Sequence, residues 1–301
     1  MKTNAIVRIV LFSLAILLLL SILGSALMAR TFLINIKESG IVDLVHDIFS
    51  VGEPGDIRID GTGSRSEFDA SQIRDLKIEW VTGAIIIQVG NTDTICVEES
   101  SVSDSKYQMV ARRSGNRLTL KFCDDDFLGW KSSTKIDTDI SKDLVITVPK
   151  NWKCDNLEID TASARVEICD LQIHEVDFDG ASGLCVFENC EIEELDIDTA
   201  SGDVCFSGIL NSLDFDAASA NCIIDVTNIP RSIEMDGMSG NLELILPPDA
   251  GFICNLHTMS GSFESNFNYQ IHDRAYVCGS GECKINVNGM SGDVTILKGI
   301  K

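Results

Sequence analysis

Residues 195–206 read LDIDTASGDVCF, and this pattern occurs seven times between residues 157 and 296. In each copy, apolar residues alternate with polar, mostly acidic ones, a turn of small residues follows, and the alternation then resumes. A period near twenty residues in strand-type alternation is typical of a solenoid with one coil per repeat. The sequence therefore predicts an all-β fold, a single-stranded parallel β-helix (β-solenoid). The turn serines are Ser163, Ser182, Ser201, Ser219, Ser239, Ser260 and Ser291.

Steps between successive turn serines are 19, 19, 18, 20, 21 and 31 residues, so the last step requires an insertion, which residues 269–282 can supply. Equivalent residues of successive coils are expected to lie about 4.8 Å apart. The residues six and four before each serine, and three and five after it, are predicted to face inward. Ala or Met directly before the serine is expected to pack inward at the corner, with Met238, Met259 and Met290 forming a thicker core. Gly after the serine is expected to tolerate a positive φ.

Four regions are predicted along the chain. Residues 1–29 are a transmembrane anchor or uncleaved signal segment, because residues 9–23 are apolar apart from two serines. We prefer an uncleaved anchor to a cleaved signal peptide, with the bulk of the chain outside the cell membrane. Residues 30–55 are a juxtamembrane connector. Residues 56–150 are irregular N-terminal β coils in which Thr82 takes the serine place, and residues 151–301 are the regular repeats.

The net charge of −22, with a pI near 4.4, argues against a nucleic-acid partner and against adhesion to anionic lipid. Any charged partner should be cationic. Apart from the membrane, which the N-terminal helix would enter, the expected partner is an envelope protein or a polysaccharide.

The acidic residue three positions before the serine forms a column on the outward side of the coils. Three explanations are open: a solvated face with turn hydrogen bonds from these side chains, a Ca²⁺ site built from carboxylates of adjacent coils, or a surface for a basic protein or cationic polymer. No other cofactor is expected. The column contains Asp160, Asp179, Asp198, Asp216 and Asp236.

The seven serines are interpreted as structural turn residues. A nucleophile needs an adjacent base and an oxyanion site, yet no His recurs beside them and no G-x-S-x-G is present. A carbohydrate-active enzyme on a β-helix would need carboxylates in a cleft with a strong basic partner, and the acidic columns are too uniform for that. The sequence therefore predicts a protein that is not an enzyme.

Eleven cysteines would suggest disulfides in an exported protein, but the count is odd. Cys185, Cys222 and Cys254 fall in inward columns, where a free Cys behaves as a small hydrophobe. Cys278 and Cys283 bracket Gly-Ser-Gly-Glu and are the exception, since they can close a short loop as a disulfide.

The apolar N-terminus, the strand ending at Val148-Pro149 and the recurring D-x-x-S-G turns resemble the "putative adhesin" family of bacterial β-strand-repeat proteins, which carries the domain of unknown function 4097. The resemblance covers roughly residues 56–298, with Ala164 and Ala220 where the family places Gly. It implies a single-stranded parallel β-solenoid on a bacterial envelope, with an adhesin-like role and no established catalytic set. With residues 1–29 as the anchor, we expect a single-pass protein of the bacterial cell membrane that acts as a binding or scaffold module. The alternatives are a sensory or regulatory membrane protein of the envelope-stress type and, less favoured, a carbohydrate-active enzyme.

Overall fold

Strands account for almost all regular structure in the computed structural model, which describes residues 57–58, 65–100, 107–124 and 141–299. The predicted anchor and connector lie outside these ranges, and no helix long and apolar enough to cross a membrane occurs within them. Among the described residues there is one short 3-10 helix, Ala70–Gln72, and there are eighteen strands. These are β1 Ile57–Arg58, β2 Arg65–Asp69, β3 Asp75–Gly90, β4 Thr94–Glu99, β5 Val110–Ser114, β6 Arg117–Lys121, β7 Leu144–Pro149, β8 Lys153–Cys169, β9 Gln172–Ser219, β10 Cys222–Val226, β11 Ser232–Ser239, β12 Leu242–Leu246, β13 Phe252–Ser260, β14 Phe263–Ser265, β15 Gln270–His272, β16 Ala275–Cys278, β17 Cys283–Ser291 and β18 Val294–Lys298.

Each repeat contributes two strand segments, which we call the first arm, before the turn serine, and the second arm, after it. Arms of the same kind pair in parallel from coil to coil. Ser219 in β9 is opposite Ser239 in β11, so the serines stack in register as the period predicts. Thr82 in β3 is opposite Ser163 in β8, which confirms that β3 is a coil with Thr in the serine place. The described fold is thus all-β and solenoid-like.

The core is a continuous apolar column built from the four predicted inward positions. In six of the seven copies all four side chains are buried, from Leu157 in the first copy to Ile296 in the last. The exception is the sixth copy, where Leu256, Phe263 and Ser265 are only half-buried. Burying an aliphatic or aromatic side chain fully contributes about 1.5–3 kcal/mol, so this column is the main source of stability. The lower burial of the sixth copy indicates that its coil lies at the end of the array.

The residue before the turn serine faces solvent, so the predicted inward packing of Ala or Met was wrong. Met238, Met259 and Met290 are 61%, 80% and 44% exposed. The residue two before the serine faces inward instead, as shown by Thr161, which is fully buried. The physical reason is that period-two alternation continues to the turn itself, and the small size of Ala misled the assignment.

Glycine after the serine is required mainly by close approach of the neighbouring coil. At Gly240 the φ angle is unexceptional, but an added Cβ would lie 2.1 Å from the carbonyl oxygen of Ala220. At Gly183 both causes apply, since φ is +137° and the carbonyl oxygen of Ala164 is 2.5 Å from the Cβ position. The predicted positive φ therefore holds for only some copies, whereas the carbonyl contact is the more general constraint.

Before the regular array, β3 is extended by strands of both directions. β6 pairs in parallel with its first arm and β7 with its second arm, whereas β5–β6, β4–β7 and β2–β4 are antiparallel. The fully buried Lys142 lies among these strands. Its Nζ donates to Glu99 Oε2 at 2.6 Å and to the Tyr107 carbonyl at 2.7 Å, and lies 4.6 Å from the centroid of the Trp80 ring. A buried, fully bonded cation of this kind fixes the position of strands that lack the repeat pattern.

At the other end, the last two coils are not stacked in chain order. The first arm of the seventh copy, β17, pairs with β11 of the fifth copy on one side and β13 of the sixth on the other. The second arms follow the same order, β12–β18–β14. The insertion in the 31-residue step forms the antiparallel hairpin β15–β16, which pairs with the outer edge of β13. The sixth coil is therefore the terminal one, and the hairpin covers part of its edge.

Candidate functional site

The outward side of the first arm carries two columns of carboxylates, which we call the acidic face. Register pairs Asp160 with Asp179 and Asp216 with Asp236, so the carboxylates of adjacent coils lie side by side as predicted. Apart from Asp160 and the half-buried Glu158, all are exposed. The acidic face consists of Glu158, Asp160, Asp177, Asp179, Asp196, Asp198, Asp214, Asp216, Glu234 and Asp236.

Basic side chains neutralise the N-terminal end of this face. Lys77 Nζ contacts Glu158 and lies 3.2 Å from Asp160 Oδ2 and 3.6 Å from Glu79 Oε1. Lys121 Nζ lies 3.0 Å from Glu79 Oε2. Even so, burial raises the pKa of Asp160 to about 6, and the attraction to Lys77 offsets only part of that effect. The first coil thus holds its carboxylates in an ion-pair network that the sequence pattern did not predict.

From Asp177 to Asp236, no ion pair involves the acidic face within the described residues. Partial burial, followed by the neighbouring carboxylates, raises the pKa of Asp196 to about 6. The same two causes raise the pKa of Asp179 and of Asp214. Because partial burial and, after it, repulsion between like charges both disfavour the ionised form, these carboxyl groups bind protons more tightly than isolated ones do. In this part of the face, the negative charge of the carboxylates is not compensated by a basic side chain of the described residues.

The acidic face ends where amides and a histidine replace the carboxylates. Asn288 Nδ2 donates to Asp236 Oδ1 at 2.6 Å, and His257 occupies the equivalent position on the terminal coil. In the neighbouring column, Asn255 Nδ2 donates to Asn286 Oδ1 at 2.8 Å. Four coils, from the one bearing Asp179 to the one bearing Asp236, therefore carry the exposed charge.

The predicted turn hydrogen bonds from the Asp column were wrong. None of the five aspartates accepts a backbone N–H hydrogen bond in the described structure; at the first turn the Ala164 N–H donates to Thr161 Oγ1 at 3.0 Å instead. The described residues also contain no group of three or more His, Cys, Asp or Glu side chains arranged to hold a metal ion. The Ca²⁺ site stays a prediction that would require carboxylates of adjacent coils to converge.

The turn serines form a polar corner that is exposed along most of the array. Ser291 Oγ donates to Ser239 Oγ at 3.4 Å, and Ser182 Oγ donates to the Ala162 carbonyl at 3.5 Å. No basic side chain hydrogen-bonds to a turn serine in the described ranges. A groove of about 510 Å³ runs along this corner over the last four coils, lined by Ser219, Ser239, Ser260 and Ser291 and by the two residues that follow each of them.

A polar ladder beside the serines, two residues further on, escaped the sequence analysis. Asn221 N–H donates to Asp203 Oδ1 at 2.9 Å, Asn221 Oδ1 accepts from Asn241 Nδ2 at 3.1 Å, and Asn241 Oδ1 accepts from the Asp293 N–H at 3.0 Å. Asp293 Oδ1 in turn accepts from the Ser262 N–H at 2.8 Å. The recurrence of Asp or Asn two residues after the serine was the signal for this ladder.

The structure does not bring Cys278 and Cys283 together, so the predicted disulfide was wrong. Both are free thiols. Cys278 in β16 pairs with Phe252 on one side of β13, and Cys283 in β17 pairs with Phe252 on the other side. Two ladder spacings of about 4.8 Å separate them, beyond the Cα distance of about 4.4–6.8 Å that a disulfide allows. Cys185 and Cys222 are buried, and burial raises the pKa of both thiols. They pack as core residues, as predicted.

The in-register coils and exposed turns are found in a chain that is similar to a known protein family. The Toastrack DUF4097 family matches residues 73–297. This chain belongs to the Toastrack DUF4097 family.

Solved structures similar to this Toastrack protein include a "putative cell adhesion protein" from Clostridium sporogenes, with 13% identity, a TM-score of 0.35, and coverage of 78% of this chain and 98% of that one. Another is a "putative adhesin" from Bacteroides fragilis, with 11% identity, a TM-score of 0.44, and coverage of 77% and 95%. A "putative lipid binding protein" from Parabacteroides distasonis has 13% identity, a TM-score of 0.41, and coverage of 81% and 100%. No curated protein sequence matches the chain.

Proposed function

We propose that this Toastrack protein is a non-enzymatic binding module of the bacterial envelope, held in the cell membrane by residues 1–29 with a single-stranded parallel β-solenoid outside. Its binding surface is the acidic face between Asp177 and Asp236. The partner is a cationic segment of an envelope protein or a cationic polysaccharide.

One observation supports this proposal above the others: eight exposed carboxylates stand in register on four adjacent coils without an ion pair in the described structure. In the absence of a partner, repulsion between these carboxylates destabilises the folded protein. A partner that presents positive charges removes this cost on binding, and the resulting field also steers it toward the face. The parallel ladder keeps the charges at a fixed spacing, so little ordering is required.

The absence of a catalytic role is part of the same proposal. Ser291 donates a hydrogen bond to Ser239, and Ser182 donates one to a backbone carbonyl. The acidic face presents carboxyl groups of one kind on an exposed surface, whereas general acid–base catalysis needs an acid and a base positioned around a bound substrate. The fold supplies extended surface, which suits binding.

The test measures binding of poly-lysine to the full chain in neutral-lipid nanodiscs, by calorimetry at physiological salt. A face variant changes Asp177, Asp179, Asp196, Asp198, Asp214 and Asp216 to Asn. A matched control variant removes six exposed charges elsewhere, with Glu188, Glu191, Glu194 and Glu264 changed to Gln and Asp225 and Asp249 changed to Asn.

We expect the face variant to lose binding and the control variant to retain it. Equal losses in the two variants would reduce the effect to net charge and refute a specific surface. The same titration with Ca²⁺ tests the cation site: heat that is present in the parent and absent only in the face variant would indicate that Ca²⁺ occupies the face.

A further inference from the structure

Three methionine side chains lie side by side on the surface at the C-terminal end of the array. Gly289 in β17 is opposite Gly237 in β11 and opposite Thr258 in β13, so the residues that follow, Met290, Met238 and Met259, occupy adjacent ladder positions with Met290 in the middle. All three are exposed, and Met259 is 80% exposed. The four other copies carry Ala at this position, so the large side chains are confined to these three coils.

The same arms place further donors two residues before each methionine. His257, Asn288 and Asp236 face outward on the same side of the strands, about 6.6 Å along the chain from the methionines. His257 makes no hydrogen bond with another described residue, whereas Asn288 is bonded to Asp236. An imidazole and a carboxylate thus border the three thioethers.

This donor set fits a soft monovalent metal ion. Thioether sulfur is a soft, neutral donor that favours Cu(I) over hard cations such as Ca²⁺, and imidazole binds copper as well. The methionine side chain has three rotatable bonds, so sulfurs that start from ladder positions about 4.8 Å apart can converge on one ion. The carboxylates of the acidic face raise the local concentration of cations next to the site.

We infer that Met238, Met290 and Met259 form a surface site for Cu(I) or Ag(I), with His257 as a further ligand. Each of the three positions carries a thioether, a metal-binding donor that Leu or Ile of similar apolar area would lack. The proposed ligands, three thioethers and an imidazole, are not carboxylates of the acidic face, although Asp236 borders both surfaces.

The test uses Ag(I), which needs no reductant, in chloride-free buffer with the full chain in neutral-lipid nanodiscs. Cys169→Ser and Cys205→Ser form the background, because these are the two half-exposed thiols among eleven. The site variant adds Met238→Leu, Met259→Leu and Met290→Leu, which keep volume and apolarity and remove sulfur. The matched control adds Met235→Leu, a buried methionine of the same region.

We expect the background protein and the control to bind one equivalent of Ag(I) that the site variant does not, and the three surface methionine methyl signals to shift in NMR spectra of [¹³C-methyl]methionine-labelled protein. His257→Ala in the background protein should weaken the binding. Binding unchanged in the site variant would place the metal on cysteines and overturn the inference. No binding in the background protein would overturn it as well.

Discussion

Asp160 is the position at which the balance between burial and ion pairing can be measured directly. Its side chain is 9% exposed and its carboxylate faces Lys77, yet its pKa is raised to about 6 from an ordinary value of 3.8. The ionised carboxylate is therefore less stable in the folded protein than in the unfolded chain, even with the lysine beside it. Asp160→Asn, which has the shape of the protonated acid, is expected to stabilise the protein at neutral pH.

The size of the effect follows from the two pKa values. At about 1.36 kcal/mol per pH unit, the rise from 3.8 to about 6 corresponds to about 3 kcal/mol. The folded state binds the proton more tightly, so stability falls as pH rises from about 4 to about 6 and stays low above that. The Asn variant lacks this loss. Its advantage should be near zero at pH 4 and complete at pH 7.5, where it raises the melting temperature by roughly 6–12 °C.

Thermal melting of the full chain in detergent, followed through the fluorescence of the buried Trp80 and Trp152, measures this at pH 4.0, 5.0, 6.0 and 7.5. Asp225→Asn, on the exposed side of the second arm, is the control for removal of one negative charge. An Asn variant that is less stable than the parent at pH 7.5 would show that the Lys77 pair outweighs burial. An advantage independent of pH would show that ionisation is not its cause.

Three further predictions concern packing, a buried ion pair and the thiols. Gly208→Ala should lower the melting temperature, because φ is +138° and the new Cβ would lie 2.1 Å from the carbonyl oxygen of Cys190 in the preceding coil. Lys142→Met should destabilise by about 3–5 kcal/mol in urea unfolding by leaving Glu99 buried without its cation, and adding Glu99→Gln should recover part of the loss. The parent should melt at the same temperature with and without dithiothreitol, whereas a Cys278–Cys283 disulfide would give a lower value under reduction.

Period-two alternation predicted most of the fold, since it requires only that one side of each arm be buried. The inward columns, the stacked serines and the identity of Thr82 as a coil residue all follow from it. The same rule, applied one step further, predicts exposed methionines. Assigning Met238 to the core came from reading residue type, small Ala or apolar Met, in preference to position.

The order of the last two coils was beyond the reach of the repeat pattern. The arms of copies six and seven share the same turn and, apart from Ser265 in the sixth copy, the same alternation, so the repeat pattern alone does not decide which of them pairs with β11. In the structure, the terminal hairpin pairs with the outer edge of β13, and Asn288 of the seventh copy donates a hydrogen bond to Asp236 of the fifth. The failed disulfide has the same origin: a separation of five residues suggests a closed loop, but here the chain crosses from one edge of β13 to the other.

The repeat pattern predicted where the carboxylates of the acidic face lie, but not which of them form ion pairs. Column position placed the aspartates, whereas the role of Lys77 depends on a contact made across coils that are 81–83 residues apart in sequence. The difference between a neutralised first coil and uncompensated later coils appears only when β3 is placed next to β8.

The exchanged positions of the last two coils also set the order in which the chain can be completed. Residues 252–265 leave the ribosome before residues 283–298, yet their native parallel partner is that later segment. The fifth coil must remain open on one side until the C-terminus is available, or release the sixth coil if that has docked there first. Addition of one rung at a time therefore stops at the fifth copy. A truncation that removes residues 283–301 does not shorten the array by one coil; it removes the layer on which the terminal coil and its hairpin rest.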